Sequence, residues 1–172
     1  MPKKAVMVIA PQLFRDEEYL EPKKVLADAG IDVKTASSKL CLASGKLGAT
    51  AQVDQLIKDI NVHDYDAVLF VGGPGSHDFF DYPDAHRIAR EAAAEGKILG
   101  GICSAAGILA KAGVLKGKKS TIFPGEAELL KAEGGIYTGR GVESDGKIFT
   151  ADGPKSAKAW GQAILKALEK NN

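Results

Sequence analysis

A cysteine set between Gly100-Gly101-Ile102 and Ser104-Ala105-Ala106-Gly107 is placed for nucleophilic chemistry. The small residues leave room for a sharp strand-to-helix turn and a strained backbone. That is the logic of the nucleophile elbow, in which Gly-x-Ser-x-Gly lifts a side chain above a sheet. The spacing here, Gly101-x-Cys103-x-x-x-Gly107, is a variant of it. At the N-terminus of the following helix, unpaired N–H groups and the helix dipole favour thiolate over thiol. The same N–H groups could bind an oxyanion. The competing reading is a small buried hydrophobe flanked by Ile and Ala. On the local sequence both readings stay open.

Two other segments gather functional side chains. Asp16-Glu17-Glu18 follows the first apolar run, and Gly72-Gly73-Pro74-Gly75 closes the second. Taken alone, Glu18 reads as a solvated acid favouring a helix dipole, and so do Asp16 and Glu17. His77 could serve as a general base near neutral pH or be merely a solvated loop residue. His63, in a loop, and His86, in a helix, carry no further signal. Cys41 reads as packing or as an accessory oxidation site. Cys41 and Cys103 lie far apart and show neither metal-ligand spacing nor a disulfide framework, so no metal is expected.

The elements that must position these groups alternate. Ala5–Ala10 is a continuous apolar run, as expected of a strand covered on both faces. Asp16–Ala29 has helical periodicity and Gly30 stops it. Ile31–Ala36 is the next strand, Leu40–Thr50 a small hairpin turning at Ser44-Gly45, and Val53–Ile60 a brief helical pattern. Ala67–Val71 is a second apolar strand. Helix Pro83–Glu95 ends at Gly96, strand Ile98–Ile102 follows, and helix Ser104–Ala112 ends at Gly113. A strand at Ser120–Ile122, a helix at Glu126–Ala132, a strand at Lys147–Ala151 and a helix at Ser156–Glu169 complete the chain. In the last helix Trp160, Ile164 and Leu168 share one face, which reads as core. The pattern predicts an α/β fold: one domain over residues 1–172, with a mostly parallel sheet flanked by helices. Ligands of such sheets bind outside the carboxyl ends of the strands, where Cys103, Gly73 and Glu18 all fall.

Bulk properties narrow the function classes. With 172 residues, 45% hydrophobic and 26% charged, the chain can build a full core. Basic and acidic residues number 23 and 22 and are dispersed, so neither a nucleic acid nor an anionic membrane is an expected partner. The densest basic patch, Lys116-Gly117-Lys118-Lys119, reads as a solvated turn. No run approaches the ~20 apolar residues of a membrane span, and the N-terminus lacks a signal-peptide pattern. A reducing cytoplasm is the expected compartment.

The whole chain resembles the ThiJ/PfpI (DJ-one) superfamily of the flavodoxin-like, class I glutamine amidotransferase-like fold. The matching segments are Ala5–Ala10, Glu18-x-x-x-Pro22, Ala67–Gly73, Gly100–Ser104, Gly113–Lys118, Asp145–Thr150 and Gly153-Pro154, in family order. The resemblance implies Cys103 as nucleophile and Glu18 as the acid contacting its sulfur. It implies an oxyanion pocket from the N–H groups of Gly73 and Ser104, with His77 and Pro154 as accessory positions. A carboxylate and a thiolate in contact cannot both ionise cheaply, so such a pair titrates as a unit. Two departures stand out. Ser104 occupies the position where protease-like members carry histidine, and Phe123, before Pro124, occupies the position where the DJ-one branch does. Asp152 replaces an arginine of that branch, which weakens the expectation of an anionic substrate.

The activity so implied is a stress-protective glyoxalase III or deglycase acting on small reactive carbonyls, with no cofactor and no metal. The alternatives are a redox sensor or chaperone-like protein that uses oxidation of Cys103, and a PfpI-type intracellular cysteine peptidase. A homodimer or higher homo-oligomer is the assembly the resemblance implies.

Overall fold

A computed structural model describes residues 1–171. In chain order the strands are β1 Lys4–Val8, β2 Gln12–Phe14, β3 Asp32–Ser37, β4 Leu42–Gly45, β5 Thr50–Gln52, β6 Gln55–Leu56, β7 Ala67–Phe70, β8 Ile98–Ile102, β9 Lys119–Ser120, β10 Ile136–Tyr137, β11 Val142–Asp145 and β12 Ile148–Ala151. The helices are α1 Asp16–Asp28, α2 Pro83–Ala94, α3 Ala106–Lys111, α4 Ala127–Ala132 and α5 Ala157–Lys170.

Seven strands form the main sheet in the order β11-β12-β8-β7-β1-β3-β6. All neighbours run parallel except the edge pair β11–β12. Period-two alternation divides the apolar residues between two cores. Val6, Val8, Val68 and Phe70 face α2 and α3 with Ile88 and Leu109. Ala5, Met7, Ile9 and Leu69 face α1 and α5 with Leu26, Trp160, Ile164 and Leu168. Trp160 is fully buried and its indole N–H donates to the Phe149 carbonyl at 3.0 Å, so the expected apolar face of α5 is a core face. This is the mixed, mostly parallel α/β sheet that the alternation of elements predicts.

Several local expectations are corrected. Residues 53–60 do not form a helix. Gln55–Leu56 pairs with β3 as an edge strand, and a single 3-10 turn, Ile57–Asp59, follows. Asp54 draws that segment in: its N–H donates to the Thr35 carbonyl and its carboxylate accepts from the Thr35 N–H, both at 2.8 Å. The hairpin turns at 46–49 rather than at Ser44-Gly45, which lies within β4. The segment expected as strand Ser120–Ile122 pairs only at Lys119–Ser120, with β10, outside the main sheet. The helix expected over Ser104–Ala112 begins as a 3-10 turn, Cys103–Ala105, and becomes α-helical only at Ala106. The short strands β2, β10 and β11 have no counterpart in the sequence reading. Two to four residues are too few to show a periodicity, and β2 and β10 pair with segments distant in sequence.

Candidate active site

Cys103 stands where β8 ends. Its φ is +58°, a left-handed conformation that costs a non-glycine residue roughly 1–2 kcal/mol. The expectation of a strained elbow is met, and the strain turns the side chain away from the sheet instead of continuing the strand. The residue is 9% exposed. Ser104 follows in the same turn and is also buried.

Glu18 reaches the thiol from α1 and is fully buried. Gly72 measures how closely the two approach. A Cβ there would lie 2.5 Å from Glu18 Oε1, 2.6 Å from the Ile102 carbonyl and 2.9 Å from Cys103 Cβ. Only glycine fits between them. Gly73, at φ +104°, turns the chain against the backbone of Leu13–Arg15, and the Arg15 N–H donates to the Gly72 carbonyl at 2.9 Å. The end of β7 and the start of α1 are thereby locked together.

Neither Glu18 oxygen makes a hydrogen bond of ordinary geometry. Burial pushes its carboxyl up to about 7; the Cys103 thiol and the Arg15 charge oppose the rise. Burial likewise pushes the Cys103 thiol up to about 12, helped by the Glu18 charge and opposed by the Ser104 N–H. The thiolate expected from a helix N-terminus is therefore corrected. The backbone donors are present, but desolvation outweighs them, because the turn is short and the thiol is buried. The pair holds both protons below about pH 7 and one proton above it, with sulfur or carboxyl as the holder.

A cleft of about 360 Å³ opens over the thiol. Its lining brings together all six predicted positions, Cys103, Glu18, Gly73, Ser104, His77 and Pro154. Phe123, 45% exposed, forms an apolar wall where an imidazole was the alternative. Sequence reasoning missed Arg15, Lys46 and Glu126, which also line the cleft. Cationic groups thus border the site despite Asp152, whose carboxylate is occupied by the Ser156 hydroxyl at 2.7 Å. Lys46 enters through a hairpin that is contiguous with the site only in three dimensions.

That hairpin depends on Asp16. Expected as a solvated acid, Asp16 is instead 6% exposed and accepts from the Leu47 N–H at 2.8 Å and the Ala49 N–H at 2.7 Å. A Cβ on Gly45 would fall 2.7 Å from its carboxylate, so β4 must carry glycine there.

Glu126 connects two predicted residues. It accepts the Ser104 hydroxyl proton and lies 3.2 and 3.3 Å from His77 Nε2 through its two oxygens. His77 Nδ1 sits 2.9 Å from the Pro74 carbonyl. His77 therefore faces acceptors at both ring nitrogens and addresses Glu126, not the thiol. Cys41 borders a different surface cleft with Leu42 and Ser44. His86 is tied to the Phe80 carbonyl, and His63 lies in an exposed turn near Glu95. Among the described residues no cluster of His, Cys, Asp and Glu could hold a metal, and no helix is long and apolar enough to cross a membrane.

Comparison with known proteins places this geometry in context. The model of the DJ-1/PfpI family matches residues 3–167. An uncharacterised protein of Methanocaldococcus jannaschii is 42% identical over 172 residues, covering 98% of this chain and 84% of that one. A protein of Pyrococcus abyssi named as a deglycase is 30% identical over 164 residues, covering 95% and 99%. The crystal structure of a ThiJ/PfpI domain protein from Brachyspira murdochii superposes with a TM-score of 0.96 at 30% identity, covering 99% of each chain.

Proposed function

Because this chain belongs to the DJ-1/PfpI family, we propose that it is a cysteine-dependent enzyme acting on small reactive carbonyls, with glyoxalase III or deglycase character. The observation that carries this reading is the thiol–carboxyl pair: Cys103 at φ +58° under an open cleft, beside a buried Glu18 that titrates near neutral pH. Such a pair can take the thiol proton as sulfur attacks and return it as sulfur departs.

In this reading the Cys103 sulfur adds to the aldehyde carbon of an α-oxoaldehyde as its proton passes to Glu18. The carbonyl electron pair moves to oxygen, which rests against the N–H groups of Gly73 and Ser104 and takes a proton from solvent to become the hydroxyl of a hemithioacetal, while Glu18 keeps the thiol proton. Transfer of the aldehyde hydrogen to the neighbouring carbon, as a proton, together with passage of the hydroxyl proton to the ketone oxygen, gives a 2-hydroxy thioester. Water releases the hydroxy acid and restores the thiol. Oxoaldehyde and water are consumed, and one hydroxy acid is formed. The name of the Pyrococcus abyssi relative supports the same class.

The size of the cleft suits a small substrate. A peptidase reading is weakened because His77 is engaged with Glu126 and Ser104 stands where protease-like members carry histidine. A redox-sensor reading is weakened because the thiol is only 9% exposed, which limits the approach of an oxidant. A cytoplasmic homodimer belongs to the proposal. Leu13, Leu40, Leu42 and Leu47, all on or beside the β2-β4-β5 sheet, are exposed and supply an apolar surface for it.

The test is steady-state turnover of methylglyoxal by the wild type and Cys103→Ser, with protein thiols counted before and after. Sustained turnover lost in Cys103→Ser supports the enzyme. Absent turnover with stoichiometric thiol loss would move the sensor into its place.

A further inference from the structure

Two carboxyls, Glu18 and Glu126, line the cleft over the thiol, and the two are built differently. Glu18 is buried without a hydrogen-bond partner. Glu126 has an 18%-exposed side chain and holds two partners, the Ser104 hydroxyl and the His77 imidazole. Ser104 has a single hydroxyl proton, and Glu126 takes it. The lone pairs of Ser104 Oγ are then left to accept. Ser104 directly follows Cys103 and lines the cleft with it and Glu126. His77, its side chain 49% exposed, joins Glu126 to solvent.

We propose that Glu126 acts through the Ser104 hydroxyl as the base for the water step, with His77 as the residue that positions Glu126. The proposal rests on the reading of Cys103 as a nucleophile that is acylated and then hydrolysed. In the step, the water oxygen forms a bond to the thioester carbonyl carbon. One water proton passes to Ser104 Oγ as the Ser104 proton passes to Glu126. The carbonyl electron pair moves to oxygen and returns as the C–S bond breaks, and the departing sulfur takes its proton from Glu18. Glu126 loses the acquired proton to solvent by way of His77. Glu18 thus manages the proton of sulfur, and Glu126 that of water. The work that a histidine beside the thiol would do is divided between two carboxylates in different surroundings. Ser104 is the catalytic residue of this line, since it touches the water; Glu126 and His77 are positioning residues.

Acylation of Cys103 by p-nitrophenyl acetate separates the two half-reactions without requiring the natural substrate. The p-nitrophenol burst reports attack by sulfur, and the later steady rate reports attack by water. Glu126→Gln is expected to keep the burst and lower the steady rate about 100-fold, within the usual range for a general base. Ser104→Ala should do the same, and acetyl-Cys103 should accumulate in both by intact mass. His77→Asn should lower the steady rate less, and Glu126→Asp should recover much of what Glu126→Gln loses. A Glu126→Gln protein with an unchanged steady rate overturns the proposal, and so does one whose burst and steady rate fall together. A wild type with no Cys103-dependent burst sinks the nucleophile reading itself, and this proposal with it.

Discussion

The Glu18 carboxyl lies against Cys103 with only Gly72 fitting between them, fully buried and with neither oxygen hydrogen-bonded. An acid placed this way favours its neutral form. It couples the charge of the site to the charge of the sulfur, and it links folding stability to pH.

The stability consequence has a definite sign. The folded-state value of Glu18 is raised from 4.5 to about 7. Its contribution is therefore fully present below about pH 4.5 and is lost as pH rises through about 7. At 1.36 kcal/mol per unit the loss amounts to about 3 kcal/mol. Glu18→Gln, which cannot ionise, should gain that much over the wild type between pH 4.5 and pH 8. Urea unfolding of both proteins at the two pH values measures the difference, and a constant gap would contradict it.

Reactivity should follow the same titration. Below about pH 7 the pair carries both protons; above it one charge is shared between sulfur and carboxyl, and a second ionisation is deferred to about 12. Iodoacetamide alkylation of Cys103 should rise with a midpoint near pH 7 and level off well before the ordinary thiol range. In Glu18→Gln that step should vanish, leaving a single rise at higher pH.

Gly72→Ala tests the convergence itself. Gly72 needs no left-handed backbone, so the penalty is steric: the new methyl meets a carboxylate oxygen, a carbonyl and the cysteine Cβ within 2.9 Å. A cost of about 2 kcal/mol is expected from overpacking. It should come with at least a tenfold loss of Cys103 alkylation rate, as the pair is forced apart. Thermal unfolding and alkylation of one preparation read both effects.

The elbow strain can be measured by comparing Cys103→Gly with Cys103→Ala. Both remove the thiol, but only glycine adopts φ +58° without cost. Cys103→Gly should be the more stable of the two by about 1 kcal/mol. The opposite order would show that the turn is unstrained.

Asp16→Ala should release the 46–49 turn. It leaves the part-buried Leu47 and Ala49 N–H groups without their charged acceptor, at about 1–3 kcal/mol in all. Amide exchange at residues 47 and 49 should accelerate far more than exchange in β1 or β7, and Lys46 should lose its fixed place at the cleft rim.

Much of this protein was legible in its residues. Continuous apolar runs such as Ala5–Ala10 and Ala67–Val71 identify strands covered on both faces. The helices between them make the sheet parallel, and a parallel sheet gathers the carboxyl ends of its strands at one edge. Cys103, Gly73 and Glu18 follow those ends, so their convergence is a property of chain order. What chain order does not carry is anything decided by contact between distant short segments. The 46–49 turn depends on a carboxylate about thirty residues away, and the edge strand at Gln55–Leu56 on a vacancy beside β3. Glu126 reaches Ser104 and His77 across separations of 22 and 49 residues. The protonation of the site belongs to this second class as well. Sequence places a thiol near helix N–H groups and predicts a thiolate. Only the packed structure reveals how deeply the thiol is buried, and desolvation, which depends on every neighbour at once, decides the balance.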